Sequence, residues 1–158
     1  MSDIYSSIYS EFAALLSEPI PPISAMSNLS SLLWMSLEKI NWAGFYVTKA
    51  DTKTLYLGPF QGKPACQVIQ FGRGVCGTAA QCKTVEIVPD VHTFPGHIAC
   101  DSASQSEIVL PVLIGNDVRA VLDLDSPVKG RFTQSDADAL SRLVQLLVER
   151  VDWSHGLL

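Results

Sequence analysis

Apolar residues recur every three or four positions near both ends of the chain and every second position in between. Over residues 4–16, Ile8, Phe12, Leu15 and Leu16 fall at helical spacing, and Pro19, Pro21 and Pro22 end the run because proline cannot continue a helical hydrogen-bond ladder. A second stripe of Met26, Leu29, Leu33, Leu37 and Ile40, widened by Leu32 and Trp34, predicts a helix over 24–40 with Ser24 as its cap. The period then becomes two. "NWAGFYVTKADTKTLYLGPFQG" (41–62) reads as two antiparallel strands around a polar turn at 49–53, "CQVIQF" (66–71) as a third, and "TVEIVPD" (84–90) as a fourth stopped by Pro89. Between the last two, "GRGVCGTAAQCK" (72–83) turns through its glycines into a short helix. Residues 107–114 and 118–123 pair across the tight-turn signal "GND". A closing helix over 134–153 is capped by Thr133, with Asp136 three residues on, and lined by Leu140, Leu143, Leu147 and Val151.

This order predicts an α+β fold: a central antiparallel sheet of about six strands with the N-terminal and C-terminal helices packed on one face. At 158 residues and 47% hydrophobic content, residues 1–158 are expected to form one domain around one core. The loop over 89–106 is the one long irregular piece, of a length that commonly serves as a lid or binding loop. A net charge of −5, with eleven scattered basic residues, argues against nucleic acid or an anionic membrane as partner. The opening "MSDIYSSIYSEF" has neither a basic n-region nor an apolar h-region, which points to the cytoplasm.

Four cysteines, Cys66, Cys76, Cys82 and Cys100, lie in the middle of the chain without a CxxC pair. In a cytoplasmic protein they suggest catalysis, metal binding or packing rather than a static disulfide framework. Cys100 stands out because it lies in a polar stretch, "PGHIACDSASQSEIVLPV", where a packing cysteine is unexpected. Cys76 and Cys82 both read as inert packing when taken alone, but Cys76 lies where a glycine loop meets a helix start, a geometry that can lower a thiol pKa or hold an anion. Strand alternation puts Asp123 and Asp125 on one face, and Glu107 opens the partner strand, so three acids converge where the Cys100 loop returns. Such a group can hold an ammonium ion or keep one carboxyl protonated near neutral pH. Trp42 and Tyr46 share a face of the first strand and wall a pocket or pack a core. His92 and His97 in the loop are a base, a metal ligand or surface residues, and the leucine face of the last helix serves packing or a homodimer seam.

Taken together, "NWAGFY", "GPFQGKPAC", "GRGVCGTAA", "VPDVHTFPGHIACDS", "SEIVLPV" and "VLDLDSP" strongly resemble the free methionine-(R)-sulfoxide reductases, a family of single GAF-type domains. The resemblance implies that Cys100 is the catalytic cysteine, Cys66 the resolving one and Cys76 an auxiliary thiol. It also implies that Glu107, Asp123 and Asp125 bind substrate and handle protons. The implied reaction reduces free L-methionine (R)-sulfoxide through a Cys100 sulfenic acid and an intramolecular disulfide, recycled by an external dithiol of the thioredoxin type, with no bound metal or organic cofactor. Two alternatives stay open at this stage. One is a GAF sensor module that binds a small molecule without chemistry; the other is a zinc site built from Cys66, Cys76, Cys100 and His97.

Overall fold

Strand alternation is realised as a six-stranded antiparallel sheet in a computed structural model that describes residues 1–158 except Asp51 and Ala99. The elements run α1 (Asp3–Leu15), α2 (Pro22–Ser36), β1 (Trp42–Thr48), β2 (Thr54–Gly62), β3 (Val68–Gln70), α3 (Gly74–Cys82), β4 (Glu86–Val88), a 3-10 turn (Val91–Thr93), β5 (Ser106–Ile114), β6 (Asp117–Ser126) and α4 (Gln134–Arg150). In space the strands lie in the order β3-β2-β1-β6-β5-β4. Two hairpins, distant in sequence, are therefore joined along one seam between β1 and β6. The polar turn expected at 49–53 includes Asp51, which lies outside the described residues, but β1 and β2 pair on either side of it as expected.

The two faces of the sheet have different tasks. Ala43, Phe45 and Val47 of β1 point with Ile108, Leu110, Leu122 and Leu124 toward α1, α2 and α4, whose Phe12, Leu29, Leu33, Leu140 and Leu143 complete the main core. Side chains alternate along a strand, so Trp42, Gly44 and Tyr46 must take the other face. There Tyr46, Val109 and Val121 meet Val75, Cys76, Ala79 and Ala80, largely from α3. The leucine stripe of α4 is filled from within the chain and is not free as a dimer seam. The start of α4 is fixed by a reciprocal cap between Thr133 and Asp136. Asp136 also accepts from the Tyr5 hydroxyl at 2.8 Å, which ties α1 to α4.

Element boundaries differ from the sequence reading in instructive ways. α2 begins at Pro22 rather than after a Ser24 cap, since proline at a first helical position lacks only an N–H that would have had no intrahelical partner. It ends at Ser36, because Leu37 is already extended, so Leu37 and Ile40 pack on the core from the connection. Leu15 and Trp34, read as stripe residues, are exposed. α4 stops at Arg150, and Val151 and Trp153 are buried beyond it. β6 continues to Ser126, which brings Asp125 as well as Asp123 into paired strand.

Gly77 shows how closely α3 is seated. A Cβ at this position would run into the carbonyl oxygen of Gln70, at the end of β3. Replacing Gly77 with Ala should force α3 away from the sheet, outweighing the roughly 0.4–1 kcal/mol that a tolerated Gly to Ala change provides. Urea unfolding should show a net loss of stability; a gain would mean that α3 can shift freely.

Candidate active site

Strand register assembles the site. Trp42 of β1, Asp125 of β6 and Glu107 of β5 form one row across three neighbouring strands, and Gly44, Asp123 and Val109 form the next. Directly paired residues project to the same face, so all three carboxyl groups rise toward α3. From α3, Cys76 Sγ donates weakly to Glu107 Oε1 at 3.9 Å. From the 89–106 loop, His97 Nε2 lies 3.4 Å from Glu107 Oε2. Asp123 is 5% exposed, and its Oδ1 has no hydrogen-bond partner. Trp42 and Tyr46 stack with centroids 5.8 Å apart and line the same recess, with Phe60 stacked behind Trp42. The Trp42 indole N–H is held by the Lys63 carbonyl at 3.1 Å.

A disulfide between Cys66 and Cys100, with Cα atoms 5.7 Å apart, lies at the edge of this recess, which Cys100 lines, and joins the segment before β3 to the long loop. The loop is also tied to the sheet. Asn41 Nδ2 donates to Ser104 Oγ at 3.2 Å and to Asp101 Oδ2 at 3.4 Å, and the Gln105 N–H donates to the Ser126 carbonyl at 2.7 Å. The resemblance-based pairing of Cys66 with Cys100 is thus present, whereas Asn41 and Ser104 were missed. The one available signal for Asn41 was its place directly before Trp42 at the start of the strand.

Burial dominates the electrostatics. It raises the Glu107 carboxyl well above its ordinary range, with the Asp125 charge adding to the effect. It raises Asp123 likewise, with Glu107 as the next cause, and Asp125, with Asp123 and then Asp101 contributing. The group therefore holds its protons to higher pH than carboxyls in water do, and a cationic guest would favour their release. For Cys76 the packing alternative holds rather than that of a lowered thiol pKa. Although it lies near the start of α3, it is buried, and the Asp123 and Glu107 charges beside it raise its pKa further. Burial pushes His97 down instead, which favours a neutral ring.

The remaining candidates separate cleanly. His92 pairs with Asp90 at 2.9 Å on the surface, away from the recess. Cys82, read as packing, is exposed and free at the end of α3. The zinc set proposed from sequence is not available in this state, because Cys66 and Cys100 are bonded to each other. The donors that do lie together among the described residues are Cys76, Glu107 and Asp123.

The GAF domain family matches residues 29–151. Over 146 residues, 92% of this chain and 87% of the relative, the sequence is 49% identical to the free methionine-R-sulfoxide reductase of Escherichia coli. The chain belongs to the free methionine-R-sulfoxide reductase family. A second relative, the free methionine-R-sulfoxide reductase of Saccharomyces cerevisiae, is 53% identical over 77% of this chain and 71% of its own. The Neisseria meningitidis free methionine-R-sulfoxide reductase, solved in complex with its substrate, superposes with a TM-score of 0.88 at 35% identity, covering 92% of this chain and 87% of that one. Within this family's GAF fold, the present chain carries its three acids on the face opposite the main helical core.

A stability cost follows from that placement. Glu107, Asp123 and Asp125 hold protons more tightly folded than unfolded, so the stability they contribute is fully present below their unfolded values of 4.5 and 3.8. It is lost as pH rises through the raised folded values. Asp123→Asn removes one of these ionisations and should stabilise the substrate-free protein at neutral pH by about 0.5–2 kcal/mol. Denaturant unfolding at a series of pH values should show the gain growing with pH above about 4; a gain independent of pH would refute the cause.

Proposed function

We propose that this protein reduces free L-methionine (R)-sulfoxide to methionine, with Cys100 as nucleophile, Cys66 as resolving thiol and Glu107 as proton donor. The observation that carries this reading is the juxtaposition of Cys66 and Cys100 at a recess whose floor holds three proton-retaining carboxyl groups. A substrate ammonium finds Asp123, whose Oδ1 lacks a partner, and Asp125 nearby, while Trp42 and Tyr46 offer aromatic walls to the methyl thioether end. An anionic ligand such as a cyclic nucleotide would meet carboxyl groups instead, which disfavours the sensor reading.

The chemistry balances without a cofactor. Glu107 gives its proton to the sulfoxide oxygen as the Cys100 thiolate attacks; the oxygen ends on Cys100 as a sulfenic acid, methionine leaves, and Glu107 is left ionised. The sulfoxide gains two electrons and the thiolate loses two. Cys66 then condenses with the sulfenic acid, forming the disulfide and releasing water. An external dithiol of the thioredoxin type, as found in the cytoplasm, reduces that disulfide. Cys76, buried and firmly protonated, serves as an auxiliary donor in the pocket floor rather than as first nucleophile.

Because the ammonium is recognised by buried acids, blocking the substrate's amino group should remove about 1.5–3 kcal/mol of interaction, one to two decades in affinity. Equal kcat/KM on N-acetylated methionine sulfoxide would overturn the pocket assignment. The thiols separate by step. Cys100→Ser should form no methionine at all. Cys66→Ser should release about one methionine per chain and accumulate a dimedone-reactive sulfenic acid before stalling. Rapid-quench product counting tests both, and a stoichiometric burst from Cys100→Ser with none from Cys66→Ser would reverse the roles.

A further inference from the structure

Glu107 poses a supply problem. It is 6% exposed and faces Cys76 and Asp123, which are themselves buried and hold their own protons, so neither neighbour is a ready source of another. Once Glu107 has given its proton to the sulfoxide oxygen, that proton must be replaced before the next turnover. Among the described residues, His97 is the basic side chain within ion-pair distance of Glu107. Its side chain is 15% exposed against 8% for Glu107, so the imidazole is the more solvent-accessible of the two.

We infer that His97 is a positioning residue that returns protons from solvent to Glu107, an inference that rests on Glu107 being the proton donor. With Nε2 3.4 Å from Glu107 Oε2, a small closing movement lets the Nε2–H pass its proton to that oxygen while Nδ1 takes one from solvent. Loss of the Nδ1 proton and reprotonation at Nε2 by solvent then restore the starting tautomer, so the ring ends neutral and the carboxyl reloaded. The count closes over the cycle. One proton is released when the external dithiol reduces the disulfide and Cys100 returns as a thiolate, and one is taken up by Glu107. Burial favours the neutral ring, the form that can relay without adding a fixed charge to the pocket.

The backbone links this contact to the nucleophile's loop. His97 precedes Cys100 by three residues on the same loop, and the next residue, Ile98, lies over Gly74 at the start of α3, where a Cβ would come within 3.1 Å of Ile98 Cγ1. The bare glycine therefore lets this part of the loop come down onto α3. In this disulfide form the seated loop places Cys100 at the recess and His97 beside Glu107 together.

The test compares His97→Gln, which keeps a hydrogen-bonding side chain but cannot relay a proton, with His97→Ala, in rapid-quench assays at saturating dithiol and methionine sulfoxide. Both variants should form the first equivalent of methionine at close to the wild-type rate, since Glu107 starts protonated, and then turn over about tenfold or more slowly. Added imidazole should restore the later turnovers of His97→Ala. A wild-type steady state in His97→Gln would overturn the relay, and so would a first turnover as slow as the rest with no imidazole rescue, which marks a merely structural role. Glu107→Gln separates the two proposals: if it turns over normally, the donor assignment fails, whereas normal His97 variants beside an inactive Glu107→Gln remove the relay alone.

Discussion

Three carboxyl groups share a face, Glu107 and Asp123 buried and Asp125 half-buried, and among the described residues no lysine or arginine pairs with them. Taking ionised carboxylates out of water without a counter-charge is so unfavourable that the groups keep their protons instead. Much of the site's electrostatics follows from this. It raises the proton affinity of the acids and pushes the Cys76 thiol up with them. Cys100, on the loop at the edge of the same recess, is by contrast exposed.

Such a face carries a smaller apolar cluster beside its acids, and the opposite face holds the larger core. Three helices pack Phe12, Leu29, Leu33, Leu140 and Leu143 against Phe45, Leu122 and Leu124, all fully buried. A buried leucine or phenylalanine stabilises by roughly 1.5–3 kcal/mol, which makes this layer sufficient to hold the strand register against the cost of the acids. β1 and β6 link the two tasks directly. Phe45 and Leu124 serve the core while their sequence neighbours Tyr46, Asp123 and Asp125 serve the pocket.

The loop over 89–106 has to be both anchored and exchangeable. Its anchors are polar and few: Asn41 to Ser104 and Asp101, and Gln105 to the end of β6. The Asn41 carbonyl oxygen is buried without a partner, so this junction is not fully satisfied. Anchors of this kind place Cys100 beside Cys66 at the edge of the recess.

Much of the architecture was legible along the chain because its signals are local. Period two in 41–62 and 107–123 marked the strands, period 3.6 marked the helices, and Thr133 with Asp136 marked the last helix start, since each depends on neighbours a few residues away. The same alternation placed Asp123 and Asp125 on one face. Family resemblance, rather than spacing, singled out Cys66 and Cys100 as partners. Tertiary structure alone decided what no local pattern encodes: that β1 pairs with β6, so that Trp42, Asp125 and Glu107 stand in one row; that Cys76 meets acids instead of an electropositive helix end; that Cys82 is exposed; and that His97 rather than His92 reaches Glu107. The physical reason is that burial and charge at a point are set by everything folded around it. A thiol or carboxyl takes its proton affinity from groups brought near by the fold, and thirty-one residues separate Cys76 from Glu107 in the chain while 3.9 Å separates them in the protein.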